Sequence, residues 1–430
     1  EETIFIGQTP APLVLLTAAD TDIQTVAVAI DRLPDTFPAL RVANVLQLQQ
    51  QIAIDTYAEE VLSQANAIVL RILGGRSYWS YGLEVTKEIV QQTGAKLIAI
   101  PGDDRPDPDL ISHSNVPLAA VNRIWRYFVE GGIDNVANAL KFMANLSLNH
   151  SYPVDLPTLV PRVGMGLDTT QRVDATPLVT HSSRSTPNPK VAILFYRAHY
   201  LAGNIAPIEA LCQALAQHHL EPVPLFVSSL RDRDVQSELR PYLQPASSDA
   251  VKLILNTTGF AISQGGEASQ LPDFPDVPIL QVILSSSSIQ QWQAQSLGLL
   301  PRDMAMNVAL PEVDGRIITR SISFKAEQTW NDRLQTAVVT YQSAPDRVAF
   351  VAELAANWVA LQQTPPPDRK IALILANYPN KDGRLANGVG LDTPTSCVEI
   401  LKALQEAGYG LTEIPETGDA LIDRLTRGVT

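Results

Sequence analysis

Largely apolar runs at residues 13–16, 42–46, 67–73 and 96–101 alternate with stretches in which apolar positions recur at helical spacing. A run without polar alternation fits a strand buried on both faces of a parallel sheet. The intervening segments 21–33, 52–64 and 83–93, followed by 117–129 and 135–146, carry amphipathic helix patterns. This β-α-β-α order predicts an α/β protein whose first 150 residues form a flavodoxin-like parallel-sheet head.

The pattern stops at residue 151. Pro153, Pro157, Pro161, Pro177, Pro187 and Pro189, mixed with Ser and Thr, make 151–189 a connector. A second α/β domain is predicted over 190–300, with strands at 191–195, 222–227, 251–255 and 277–283 and a helix at 208–218. Residues 301–367 read as a mixed segment ending in an amphipathic helix at 346–361, closed by Pro365, Pro366 and Pro367. The run Lys370-Ile-Ala-Leu-Ile-Leu then echoes Lys190-Val-Ala-Ile-Leu-Phe, and Val398-Glu-Ile-Leu echoes Ile208-Glu-Ala-Leu. Two modules of one kind or convergence on a common βα pattern would both produce this. Residues 368–430 are expected to begin a further α/β module that the fragment truncates, with a strand at 370–376 and another at 411–414.

Composition narrows the function classes. The chain has 430 residues, 45% hydrophobic and 18% charged, with a net charge of −13. That balance fits multidomain globular protein and argues against general nucleic-acid binding. No apolar run is long enough to span a bilayer, and residues 1–3 lack the features of a secretory signal. Cys212 and Cys397 lie in helical patterns without a CxxC partner, and are expected to be buried thiols of a reducing cytoplasm. The six histidines are scattered, so no metal site is predicted.

Candidate chemistry sits in loops that follow strands, where open sheets bind ligands. In Gly74-Gly-Arg-Ser-Tyr-Trp-Ser-Tyr-Gly82, Arg76 offers a fork for carboxylates, and Tyr78 and Trp79 offer flat surfaces. A tight turn packed on a neighbouring domain would explain the same residues. Pro101-Gly-Asp-Asp-Arg-Pro-Asp-Pro-Asp109 is read first as a local ion-pair turn and second as a cation site. Arg197, His199 and Tyr200 follow the strand at 191–195, as ligand or interface residues. Asn377, Lys381, Asp382, Arg384, Asn387 and Asp392 belong to a long polar, glycine-rich loop that few structural needs explain. If these loops share one cleft, Arg197, His199, Lys381 and Arg384 would line it positively for a large anionic ligand. Ser285 to Ser288 are expected to form a turn and helix cap, and Asn256, Thr257 and Thr258 a weak donor set. No phosphate-binding glycine fingerprint or catalytic triad motif occurs, and no catalytic residue is assigned.

Several long motifs occur together in order: Leu70-Arg-Ile-Leu-Gly-Gly-Arg-Ser-Tyr-Trp79, Pro101-Gly-Asp-Asp-Arg-Pro-Asp107, Phe195-Tyr-Arg197, Pro301-Arg-Asp-Met-Ala-Met-Asn-Val-Ala-Leu-Pro-Glu-Val-Asp-Gly-Arg316 and 376–392. Along essentially the whole chain they resemble the large subunits of aerobic cobaltochelatases, in the CobN/magnesium-chelatase H family. The resemblance implies a subunit that binds a tetrapyrrole, hydrogenobyrinic acid a,c-diamide, and receives Co2+ as substrate. Partner AAA+ ATPase subunits would hydrolyse ATP-Mg, and this fragment would hold no cofactor itself. A magnesium-chelatase or nickel-inserting relative acting on another tetrapyrrole is the first alternative, and a non-catalytic docking module for AAA+ partners the second. The family's His-Gly-x-Leu-Glu motif is absent, since none of the six histidines precedes a glycine. An N-terminal fragment inactive on its own is therefore expected.

Overall fold

The computed structural model describes residues 5–167, 188–245, 250–262, 274–294, 296, 298–326, 329–376, 386, 388 and 390–427. The chain forms two compact units, Glu1–Glu353 and Leu354–Thr430.

The first unit begins with the predicted head. Strands β1 (Leu13–Thr17), β2 (Leu40–Asn44), β3 (Ala67–Ile72) and β4 (Lys96–Pro101) form an all-parallel sheet in the order β2-β1-β3-β4. All but Lys96 of these strand residues are buried, because helices cover both faces. Leu13, Leu15 and Val69 pack with helices Asp20–Ile30, Leu118–Glu130 and Ile133–Leu148. Val14, Leu16 and Leu70 pack on the opposite face with helices Gln51–Glu60 and Ser80–Thr93. Alternate residues of one strand thus enter different cores, which is the period-2 consequence of the pleat.

The second sheet draws strands from a wider stretch than 190–300. Its core is parallel: β6 (Lys190–Tyr196), β7 (Glu221–Val227), β8 (Leu253–Asn256), β9 (Ile279–Ser288) and β10 (Ile317–Lys325). Antiparallel edges come from β5 (Val163–Met165), inside the proline-rich connector, and β13 (Tyr341–Ser343), giving the order β13-β10-β9-β8-β6-β7-β5. Gly164 is required at the β5 edge, since a Cβ there would sit 2.3 Å from the Phe226 ring. The serine run is not a turn: Ser285–Ser288 extend β9, and only Ser288 caps the short helix Ile289–Ala294, accepting from Gln291 N–H at 3.2 Å.

A hairpin of β11 (Thr329–Asn331) and β12 (Thr336–Val338) returns to the head. Its Leu334 is fully buried in the head core, and Gln8, from the start of the chain, donates to Gln335 O at 2.7 Å.

In the second unit, helices Thr393–Glu406 and Gly418–Thr426 share a small core of Cys397, Val398 and Leu421, with Leu375 and Ile414 packed on it. The strands expected at 370–376 and 411–414 do not form. Ile371, Leu373 and Ile374 are exposed, Ile374 at 92%. An apolar run becomes a strand only when a neighbour accepts its backbone bonds, and among this unit's described residues the sole pairing is the bridge Gly388–Leu391.

Candidate functional site

In each of the two larger sheets of the first unit one strand has a chain-order reversal beside it. The head changes direction around β1, and the second sheet changes direction around β6, from which β7 and β8 leave on opposite sides. Crevices beyond the carboxyl ends of such strands are where open α/β sheets hold ligands. Here both ends open on one cleft of about 290 Å³. Ala18 to Thr21 line it from β1, Tyr196 and His199 from β6, Thr257 and Gly259 from β8, and Ser286 from β9.

Ion pairs and hydrogen bonds bind the two walls. Asp20 accepts from Asn44 Nδ2 at 2.9 Å and from Lys325 Nζ, at the end of β10, at 2.6 Å. Asp303, buried on the far wall, accepts from Ser285 Oγ at 2.9 Å, Ser286 N–H at 2.8 Å and Asn307 Nδ2 at 3.4 Å. Arg302 is the second lining cation. Among the described lining residues two carboxylates therefore face two cations.

His199 does not change that balance. Its ring lies 5.5 Å from Tyr341 and 6.3 Å from Tyr196, and its Nδ1 has no hydrogen-bond partner among the described residues. Desolvation lowers its pKa to about 4, so the imidazole is neutral at physiological pH. Burial likewise raises the Tyr196 and Tyr341 phenols, which stay protonated. The Tyr196 hydroxyl accepts from Gly259 N–H at 3.1 Å.

Below the cleft, Arg316 and Asp314 pair at 3.0 Å, both nearly inaccessible to water. Arg316 also donates to Gln281 Oε1 at 3.1 Å, and Asn256 Nδ2 donates to the same oxygen at 2.8 Å. The network fixes the loop after β8, because Asn256 and Gln281 both donate to Thr258 O.

A model of the family described as CobN/Magnesium Chelatase matches residues 125–430. An aerobic cobaltochelatase subunit CobN of Pseudomonas aeruginosa is 42% identical over 426 residues, covering 99% of this chain and 34% of its own length. That of a Sinorhizobium species is 40% identical over 438 residues, covering 100% and 34%. The chain belongs to the CobN/magnesium chelatase family. It spans about a third of the length of these relatives. The solved catalytic subunit of cobaltochelatase from Mycobacterium tuberculosis matches with a TM-score of 0.59 and 29% identity, over 96% of this chain and 32% of that one.

Within this family member the residues singled out from sequence have diverse placements. His199 lines the cleft. Arg197 does not: it is buried, and its guanidinium donates to Pro161 O, Val129 O, Glu130 O and Val160 O at 2.8–2.9 Å. Burial lowers its pKa, opposed by Glu130, whose carboxylate lies 3.6 Å away. Tyr200 stacks on Phe226, ring centroids 4.3 Å apart. Trp79 is in the head core, with its indole N–H donating to Leu48 O at 2.7 Å. Arg76 is half exposed, 3.6 Å from Glu84, and Tyr78 is exposed; neither lines the cleft. Asp392 caps the helix Thr393–Glu406, accepting from Thr395 N–H at 3.1 Å. Asn377, Lys381, Asp382, Arg384 and Asn387 lie outside the described residues. Of the positive lining expected from Arg197, His199, Lys381 and Arg384, Arg197 is buried against carbonyls and His199 is uncharged, while Lys381 and Arg384 lie outside the described residues.

The aspartate loop after β4 also differs from expectation. No carboxylate pairs with Arg105 among the described residues; its backbone N–H is received by Asp103 at 3.3 Å, and Asp107 caps the turn Pro108–Ile111. No group of three or more His, Cys, Asp or Glu residues suited to a metal occurs among the described residues. Sequence reasoning missed Asp20, Gln24, Asn204, Asp303, Lys325 and Tyr341 as cleft residues. One signal was present: Arg302, Asp303, Met306 and Asn307, from the motif at 301–316, all line the cleft.

Proposed function

We propose that this chain is the N-terminal part of the tetrapyrrole-binding large subunit of an ATP-dependent cobaltochelatase of cobalamin biosynthesis. The complex would insert Co2+ into hydrogenobyrinic acid a,c-diamide in the cytoplasm. AAA+ partner subunits would bind and hydrolyse ATP-Mg. The observation that carries this reading is the end-to-end identity of about two residues in five with two CobN subunits.

The cleft supports a limited share of that task. At about 290 Å³ it falls at the bottom of the usual ligand-pocket range of about 300–1,000 Å³. It suits a peripheral arm of a tetrapyrrole while the macrocycle lies outside. The Asp20–Lys325 pair and the Arg316 network would keep the two walls in register around that arm. Because the chain spans about a third of its relatives, residues 1–430 alone are expected not to insert metal. Cobalt insertion by this segment in isolation would overturn that.

Hydrogenobyrinic acid a,c-diamide and protoporphyrin IX, titrated separately into the complete subunit with tryptophan fluorescence as readout, test the reading. Selective corrinoid binding is expected. Selective porphyrin binding would favour a magnesium-chelatase activity instead, and capture of AAA+ subunits without either tetrapyrrole would favour a docking module.

A further inference from the structure

Phe260, in the loop after β8, has a φ of 66°, a left-handed conformation that is strained for a bulky side chain. Such strain persists only where the surroundings over-determine it, and it gathers at ligand clamps. Here the loop is held from several directions. Phe260 N–H donates at 2.8 Å to Met306 O, which belongs to a π-helical turn at Ala305–Ala309. Gly259 N–H donates to the Tyr196 hydroxyl, Ile262 N–H donates to Asp314 Oδ2 at 2.7 Å, and Ala261 O accepts from Arg231 Nε at 3.0 Å. A Cβ at Gly259 would lie 3.1 Å from Met306 O, so the loop also sits tightly on that turn.

The fold gains no core from this effort. Phe260 is 37% exposed and lines the cleft, and Leu46, from the turn after β2, does so at the same exposure. The guanidinium of Arg231 lies over the Phe260 ring, 4.9 Å from its centroid. Arg231 is itself exposed and makes no ion pair among the described residues. An accessible aromatic ring and a positive charge are thus held side by side. A flat conjugated ring bearing carboxylate arms uses both, by stacking on the phenyl ring and pairing with the guanidinium. A small anion would leave the aromatic ring unused, and an aliphatic chain would leave the charge unused.

We propose that Phe260 and Arg231 form a rim subsite for the macrocycle of a carboxylate-bearing tetrapyrrole. Phe260 contacts the conjugated ring, and Arg231 pairs with a peripheral carboxylate. The strained backbone at residue 260 serves to present that aromatic face at the cleft. The subsite rests on the tetrapyrrole reading for its ligand, and it takes the part of the molecule that a cleft of about 290 Å³ leaves outside.

The test titrates hydrogenobyrinic acid a,c-diamide into the complete subunit, with tryptophan fluorescence as readout and thermal melting in parallel. Phe260→Gly is the deciding variant, because glycine adopts this φ without strain. It should bind about tenfold more weakly or worse, while its melting temperature holds or rises. A residue that served the fold alone would give the reverse, lower melting at unchanged affinity. Phe260→Tyr keeps the aromatic face and should bind as the wild type does. Arg231→Gln should weaken binding about two- to fivefold and flatten its salt dependence, as loss of one exposed ion pair requires. Wild-type affinity in Phe260→Gly, or an unchanged salt dependence in Arg231→Gln, overturns the proposal while the tetrapyrrole reading stands. Lowered melting together with lowered affinity in Phe260→Gly overturns it too, since a damaged fold would then explain the loss. A wild-type subunit that binds no tetrapyrrole overturns both readings.

Discussion

Arg197→Met should destabilise the first unit strongly, although sequence alone makes Arg197 a ligand-binding candidate. The guanidinium serves four backbone carbonyls, from Val129, Glu130, Val160 and Pro161, and lies beside the Glu130 carboxylate. It thereby ties the end of helix Leu118–Glu130 and the connector to the start of the second sheet. A hydrogen bond from a charged donor contributes about 1.5–3 kcal/mol, and four taken independently would suggest about 6–12. That sum is too large: water would reach carbonyls at partly exposed positions such as Val160, and Glu130 retains Arg126 at 2.7 Å. The expected loss is about 3–5 kcal/mol, the usual cost of breaking a buried ionic site. Urea unfolding followed by far-UV circular dichroism measures it as a lowered midpoint at unchanged slope. Arg197→Lys should recover little, because one ammonium cannot reproduce a fork that reaches four acceptors. A loss below about 1 kcal/mol for Arg197→Met would refute the structural assignment. Weakened tetrapyrrole affinity in that stable variant would return Arg197 to the binding site.

Three further outcomes are expected. Leu334→Ala should cost about 2–5 kcal/mol and open the hairpin to limited proteolysis, since this fully buried side chain anchors it in the head core; an unchanged cleavage pattern would contradict that. Gly82→Ala should cost about 1–3 kcal/mol from overpacking, because the new Cβ would lie 2.2 Å from the Trp79 ring; a tryptophan emission shift would report the displaced indole, and wild-type emission and stability would count against the geometry. For His199 the folded pKa of about 4 is below the ordinary 6.5, so the unfolded chain binds the extra proton first. Its contribution is then complete above about pH 6.5, declines as pH falls, and is lost below about pH 4, for a total of about 3 kcal/mol. Denaturant midpoints between those limits should fall less steeply in His199→Gln, and identical pH slopes in the two proteins would refute the assignment.

Much of the fold was legible wherever a segment's own pattern dictated its burial. The runs at 13–16, 67–73 and 96–101 became strands of a parallel sheet because they are almost wholly apolar and the one internal charge, Arg71, is paired with Asp22, so they could be covered on both faces. Glycine and aromatic content was a poorer guide. Gly82 and Trp79 looked like parts of a ligand loop, yet Gly82 is small because the indole packs against it. Arg197 and Tyr200 stood at the correct end of a strand, but position in a loop does not say where a side chain turns. The apolar run at 370–376 failed for another reason, since its pattern specifies a strand only when a second strand lies alongside.

The sequence by itself determined the family, the α/β class, the strand-and-helix order of the head, and through the motif at 301–316 one wall of the cleft. These are local properties, carried by periodicity and contiguous motifs. Only the tertiary structure decided that the switch points of two separate sheets open on the same cleft, and that Asp20 and Lys325, far apart in the chain, pair across its lining. It also decided that the described lining residues balance in charge. Each of these depends on contacts between residues far apart in the chain, and on which polar atoms already have partners, a matter settled by packing rather than by residue type.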